Sequence, residues 1–208
     1  MIPAKTPALV SRYFNNYIWE KPNTEKRIYL TFDDGPIPEV TPWVLDVLKQ
    51  YQIPATFFCV GENIDKHPEI FKEILKQNHS IGNHTYNHLK GWKTTTEKYL
   101  DNIQNTQKII NEFGVNTSLF RPPYGKMTSA QSKAVLNLDY DVIMWSVLSK
   151  DYSSKLPHQK VYDNIINNTT SGSIIVCHDN IKAFDTLQKV LSKAIETLLE
   201  NGFGFGKL

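Results

Sequence analysis

The sequence predicts an α/β protein: one domain of parallel β/α architecture, with about seven strands alternating with about six helices. Three observations predict it. Short apolar runs alternate with longer segments whose apolar residues recur at helical spacing. The connections between them are short. No Pro/Gly/Ser-rich linker, low-complexity tract or repeat interrupts the 208 residues, a length that suits one core.

The elements follow in order. The run IYLTF, residues 28–32, alternates like a half-buried strand and is ended by Gly35-Pro36. Thr41 is placed to N-cap a helix reaching residue 51, with Pro42 at its first position. ATFFCV (55–60) reads as a buried strand, 68–77 as a helix and 80–82 as a short strand. A long helix over 96–113 carries Leu100, Ile103, Ile110 and Phe113 on one side, with Gly114 as its stop. Strand 118–120, helix 129–138, strand 141–147 (DVIMWSV), helix 159–168 and strand 173–177 (SIIVC) come next. The last helix is expected from Asp185, with Gln188 set for a capping box and Gly202 as its end. Its stripe is Leu187, Val190, Leu191, Ala194, Ile195 and Leu198, and residues 203–207 close as a final strand. Residues 1–26 form a lead-in to a domain over 27–208.

Composition excludes several classes. A net charge of +2 without a Lys/Arg stripe gives no nucleic-acid footprint. No stretch approaches the roughly 18 apolar residues of a membrane span. The N-terminal residues lack the apolar core of a signal peptide, so no export address is read, and a trimmed leader stays open. Cys59 and Cys177 lie in apolar runs and are expected as buried free thiols. A monomer is expected.

The polar residues gather at strand ends. Asp33-Asp34 follow the first strand, and His84 and His88 the third. RPPYG (121–125) follows the fourth, Asp151 lies past the fifth, and His178-Asp179 follow SIIVC. In β/α barrels the carboxyl ends of the strands hold the active site. Two histidines four apart share one face of a helical turn and can reach one metal. The missing carboxylate is offered by Asp33-Asp34: one ligates, while its neighbour serves as general base toward the attacking water.

TFDDGP, HTYNH, RPPYG, residues 145–152 and SIIVCHD, in that order, resemble the five motifs of the NodB-type polysaccharide deacetylases, the fourth family of carbohydrate esterases. The resemblance runs from residue 28 to 179 and implies a distorted, incomplete (β/α) barrel. It implies Asp33 as base and Asp34, His84 and His88 as ligands of one divalent metal, usually Zn²⁺, with Co²⁺ or Mn²⁺ as alternatives. Arg121 would orient and charge-pair Asp33, and the Tyr124 N–H would stabilise the oxyanion. His178 would be the acid, kept protonated by Asp151. Pro122, Tyr124, Trp145 and Trp92 are placed with the substrate. Core packing is an equal reading for Trp145, and packing under its loop for Trp92. Ser146 and Leu148 depart from the family pattern, in which acidic residues are common at these positions. His67, His79 and His158 are given no role.

The activity implied is removal of N-acetyl groups from N-acetylglucosamine units of chitin-like or peptidoglycan-type glycans. An acetylxylan-type O-deacetylase is the alternative, and a non-catalytic glycan-binding protein of the same fold a further one. A two-His-one-carboxylate iron oxygenase shares the triad. The β/α alternation and the Asp33, Arg121, Asp151 and His178 set argue against it.

Overall fold

The computed structural model describes residues 3–208. After a short helix α1 (Ala8–Tyr13), the chain alternates β1 (Arg27–Asp33), α2 (Val40–Gln50), β2 (Thr56–Cys59), α3 (Gly61–Lys66), α4 (Pro68–Lys76) and β3 (Ser80–Asn83). There follow α5 (Thr96–Glu112), β4 (Leu119–Phe120), α6 (Ser129–Leu136), β5 (Asp141–Val142), β6 (Val147–Leu148), α7 (His158–Ile166), β7 (Ile174–His178), α8 (Ile181–Glu200) and β8 (Gly204–Gly206). The strands form one parallel sheet in the order β5-β4-β3-β2-β1-β7-β6, with β8 also paired to β1. Parallel strands covered by helices on their outer face are buried on both sides, and β1 and β7 accordingly read as near-continuous apolar runs.

The sheet curls until its two edges are the two ends of one stretch of chain. Residues 141–147, expected as one strand, split: β5 pairs with β4 and β6 with β7. The bridging peptide is held on both sides, by Ile143 N–H to Phe120 O at 2.8 Å and Ser146 N–H to Ile174 O at 3.1 Å. A single strand could not reach both neighbours without breaking, and this is why the apolar run divides. The segment before β1 lies on this seam through bridges Lys5 to Val147, Ile18 to Ile143 and Glu20 to Ser173.

The starts of two helices differ from the sequence reading, and one helix was not foreseen. Thr41 lies inside α2 and is not its cap; its hydroxyl accepts from Ile37 N–H at 2.8 Å and donates to Asp179 Oδ2 at 2.6 Å. Helix α3 was not predicted, because its six residues bury only Gly61 and Ile64 and so show no helical period. Helix α8 starts at Ile181 rather than Asp185, capped by Asn180, whose side chain accepts from Ala183 N–H at 3.0 Å. With Ile181 63% exposed, its first turn carries no stripe to reveal it. The rest of the stripe, Leu187 to Leu198, packs into the main core with Ile28, Leu30 and Phe32. Cys59 and Cys177 are buried free thiols, as expected.

Candidate active site

The β1 to α2 turn sets the centre of the site. Asp33 ends β1, in register with Phe58 of β2 and His178 of β7. Asp34 follows at φ 88°, a left-handed conformation that turns its carboxylate across the strand ends. Asn63 Nδ2 holds its main-chain oxygen at 2.7 Å. Gly35 then passes so close to Asp179 that an added Cβ would lie 1.9 Å from Oδ2. Gly35→Ala is therefore expected to cost about 1–3 kcal/mol, read as a lowered urea midpoint.

His84 and His88 were expected on one helical turn, and the structure corrects this. HTYNH is a loop with Thr85 at φ 65° and His88 at φ 52°. Asn83 Oδ1 accepts from Thr85 N–H at 2.9 Å, and Asn102 Oδ1 of α5 accepts from Tyr86 N–H at 2.8 Å. The left-handed backbone at Thr85 and His88 breaks the helical turn, and these side-chain acceptors satisfy the loop's amides. The two imidazoles still meet, with ring centroids 5.1 Å apart.

Asp34, His84 and His88 each offer a ligand atom, all within 4.8 Å of one another. Asp34 Oδ1 stands 3.2 Å from His88 Nε2 and 3.6 Å from His84 Nε2, buried and without a hydrogen-bond partner. His84 Nδ1 donates to Arg121 O at 2.7 Å, so Nε2 carries the lone pair toward the cluster. Burial lowers the His84 pKa to about 4 against the pull of nearby Asp33, so the imidazole is neutral at pH 7, the form that can serve as a ligand. For Asp34, burial favours the acid form, but the imidazoles of His88, His178 and His84 outweigh it and hold the carboxyl well below the usual range. An orphaned carboxylate oxygen facing two imidazole nitrogens fits a divalent cation.

Two ion pairs flank this triad. Arg121 is fully buried, with Nη1 2.6 Å from Asp33 Oδ1 and 2.8 Å from Thr31 Oγ1. Its Nε and Nη2 donate to Ile143 O and Met144 O at 3.1 and 3.0 Å, and its guanidinium stacks 4.0 Å over Phe58. On the other side, His178 Nδ1 donates to Asp151 Oδ1 at 2.7 Å, and its main-chain N–H donates to Oδ2 at 2.7 Å. Burial would lower the His178 pKa, yet the Asp151 charge and hydrogen bond, with Asp34 and Asp33 behind them, raise it to about 9.

A cleft of about 510 Å³ opens over these groups, lined by Asp33, Asp34, His84, His88 and His178, with Tyr124, Trp145, Leu148 and Tyr152 as walls. Trp145 is thus both wall and core, packing against two buried clusters. Tyr124 sits at φ 61° in a 3₁₀ turn (Pro123–Gly125), 47% exposed. As an early residue of that turn, its N–H has no partner within it. Arg121 and Asp151 stand behind the lining, and Pro122 is buried away from it. Trp92 also lies outside the lining, its ring edge-on to Tyr124 at 5.4 Å. His79, given no role by the sequence, is buried, and its Nδ1 accepts from Ala55 N–H at 3.1 Å.

Sequence reasoning assigned no role to Asn63, Asp179 or Asn180, and gave Thr41 only that of a helix cap. Asp179 Oδ1 accepts from Gly35 N–H at 3.0 Å, and burial raises its pKa to about 8 against the pull of its hydrogen bonds. Asn180 Nδ2 donates to Asp34 Oδ2 at 2.6 Å. Helix-cap chemistry at Asn180 was the one signal available from the sequence.

A curled parallel sheet with these groups at its carboxyl ends is an arrangement suited to metal-assisted hydrolysis. Known proteins narrow the class. The family signature for polysaccharide deacetylase matches residues 20–143, and the chain belongs to that family. It is 36% identical over 188 residues to a peptidoglycan-N-acetylglucosamine deacetylase of Bacillus cereus, covering 90% of this chain and 88% of that protein. It is 32% identical over 180 residues to the peptidoglycan-N-acetylmuramic acid deacetylase PdaC of Bacillus subtilis, covering 86% of this chain and 37% of that longer protein. The crystal structure of the Bc1960 peptidoglycan N-acetylglucosamine deacetylase, in complex with 4-naphthalen-1-yl-N-oxidanyl-benzamide, aligns with a TM-score of 0.89 at 34% identity. That alignment covers 98% of this chain and 95% of the other.

Proposed function

We propose that this deacetylase removes N-acetyl groups from N-acetylglucosamine units of a peptidoglycan-type or chitin-like glycan. A divalent cation, Zn²⁺ in the first instance, would be held by Asp34, His84 and His88. When bound it supplies Lewis-acid activation of water and of the acetyl carbonyl. Asp33, paired with Arg121, takes the proton of the attacking water. The Tyr124 N–H, without a partner in its own turn at the cleft wall, would donate to the oxygen on which charge develops. His178 holds its proton on Nε2 as imidazolium and gives it to the departing amine, while Asp151 keeps Nδ1 occupied.

The observation that carries the amide reading is the His178–Asp151 pair. An ester leaves as an alkoxide and needs less help from an acid, whereas an amine must be protonated. An imidazole whose pKa is raised to about 9 is equipped for the harder case. The names of the relatives support the peptidoglycan-type branch. Leu148 gives this cleft an apolar wall, suited to an acetyl methyl group.

The test supplies the metal-loaded enzyme with N-acetylglucosamine oligomers, peptidoglycan fragments and acetylated xylan, and measures acetate with free amine. Acetate and amine should appear together from the N-acetylated glycans, stop on chelation and return with added Zn²⁺. Acetate from xylan with no amine from any N-acetylated glycan would establish the esterase instead.

A further inference from the structure

We infer that Asn180 sets how Asp34 presents its carboxylate to a divalent cation, occupying one oxygen and leaving the other for the metal. This rests on the metal-dependent reading of the triad proposed above. The two oxygens have different surroundings. Asn180 Nδ2 donates to Oδ2 at 2.6 Å, while Oδ1 is buried, unpartnered, and faces His88 Nε2 and His84 Nε2 at 3.2 and 3.6 Å. The terminal torsion of an aspartate is soft and roughly two-fold, so an unrestrained carboxylate can swing or close on a cation with both oxygens. The amide removes that freedom.

Asn180 can do so because its own far end is fixed. Its Oδ1 accepts from Ala183 N–H at 3.0 Å, capping the 20-residue helix α8, whose stripe is locked in the core. The direction of the Asp34 side chain is thus referred to a long packed helix rather than to a loop. Among the strong N-cap residue types, Asn, Asp, Ser and Thr, only Asn also carries an amide N–H₂. It can therefore accept from the helix with one end of the side chain and donate to a carboxylate with the other.

The neighbours of Asn180 act on the same turn in step. His178 pairs in register with Asp33, and Asp179 takes the Gly35 N–H at 3.0 Å. Three consecutive residues at the β7 to α8 junction thus address three consecutive residues of the β1 to α2 turn. Asn63, from α3, holds the Asp34 main chain independently at 2.7 Å. Asn180 is accordingly a positioning residue: it acts through Asp34. Ligation through one oxygen leaves more of the cation's coordination shell for water and the acetyl oxygen.

The test is a Co²⁺ titration of the metal-stripped full chain, read by visible absorption and by competition with a chromophoric chelator. Asn180→Ser and Asn180→Thr keep a capping oxygen, but their hydroxyl is a heavy atom short of the amide nitrogen. The urea midpoint of the metal-free protein should stay close to the parent's. The Kd for Co²⁺ should rise about 10- to 100-fold, the range for loss of a partner that orients a ligand. The absorption band should weaken as Asp34 closes on the metal with both oxygens. If the parent binds one Co²⁺ and both variants match its Kd and spectrum, the role of Asn180 is overturned and the metal site stands. If the parent fails to bind Co²⁺, both fall.

Discussion

Asp33→Asn is expected to lower kcat by about 10²- to 10⁴-fold, the usual worth of a positioned base, while the protein keeps its bound metal. The asparagine carbonyl can still accept from Arg121, now 2.6 Å from Asp33 Oδ1, but it cannot take a proton from water. Asp33 is not one of the three grouped ligand residues, so metal content should hold. Some stability should be lost, because the fully buried Arg121 loses its carboxylate partner, keeping Thr31, Ile143 and Met144. Asp34→Asn is the contrasting change, expected to weaken metal binding itself. Elemental analysis alongside kcat per bound metal separates the two. Equal metal loss in both variants, with normal turnover per metal, would refute the division of labour between the adjacent aspartates.

The second large effect is in the pH profile. With Asp33 needed as base and His178 as acid, kcat/KM should be bell-shaped. The imidazolium is present below the raised pKa of about 9 and is lost as pH rises through it. A cation in the triad offsets the Asp34 charge, so the alkaline limb of the loaded enzyme lies at or below that value. Asp151→Asn removes the largest influence favouring imidazolium while burial still opposes it. The limb should therefore move down by about 1–3 pH units. The fold should respond with the same sign. A histidine raised from 6.5 to about 9 contributes its full stabilisation below pH 6.5 and loses it as pH climbs through 9. An alkaline limb that stays in place in Asp151→Asn would rule out the pair as the acid device.

Much of this was legible in the chain because the chemistry sits where β/α topology makes sequence position informative. Asp33, His84, Arg121 and His178 each lie at or just past a strand's end, and the strands announce themselves as apolar runs. Other features lie beyond that logic. Thr41, Asn63 and Asn180 act on partners 138, 29 and 146 positions away, and an Asn or Thr in a loop gives no hint of such a contact. The HTYNH spacing correctly joined two histidines but suggested the wrong backbone. Thr85 and His88 adopt left-handed backbone in a loop held by Asn83 and Asn102, and nothing in the i, i+4 pattern reveals that. The split of 141–147 is likewise a tertiary matter: the same apolar residues would make one good strand if the sheet did not have to meet itself.

That meeting has a consequence for how the molecule behaves in a crowd. An open parallel sheet ends in two strands whose outward amides and carbonyls can template pairing with another chain. Here both terminal strands are two residues long, and the stretch joining them is tied to β4 and β7 while Ile18 and Lys5 bridge onto it. Arg121 adds a rivet from within, through Ile143 O and Met144 O. The sheet thus offers little unpaired rim to a neighbouring copy. The buckle that brings Trp145 to the cleft also makes edge-to-edge aggregation an unfavourable route for the folded protein.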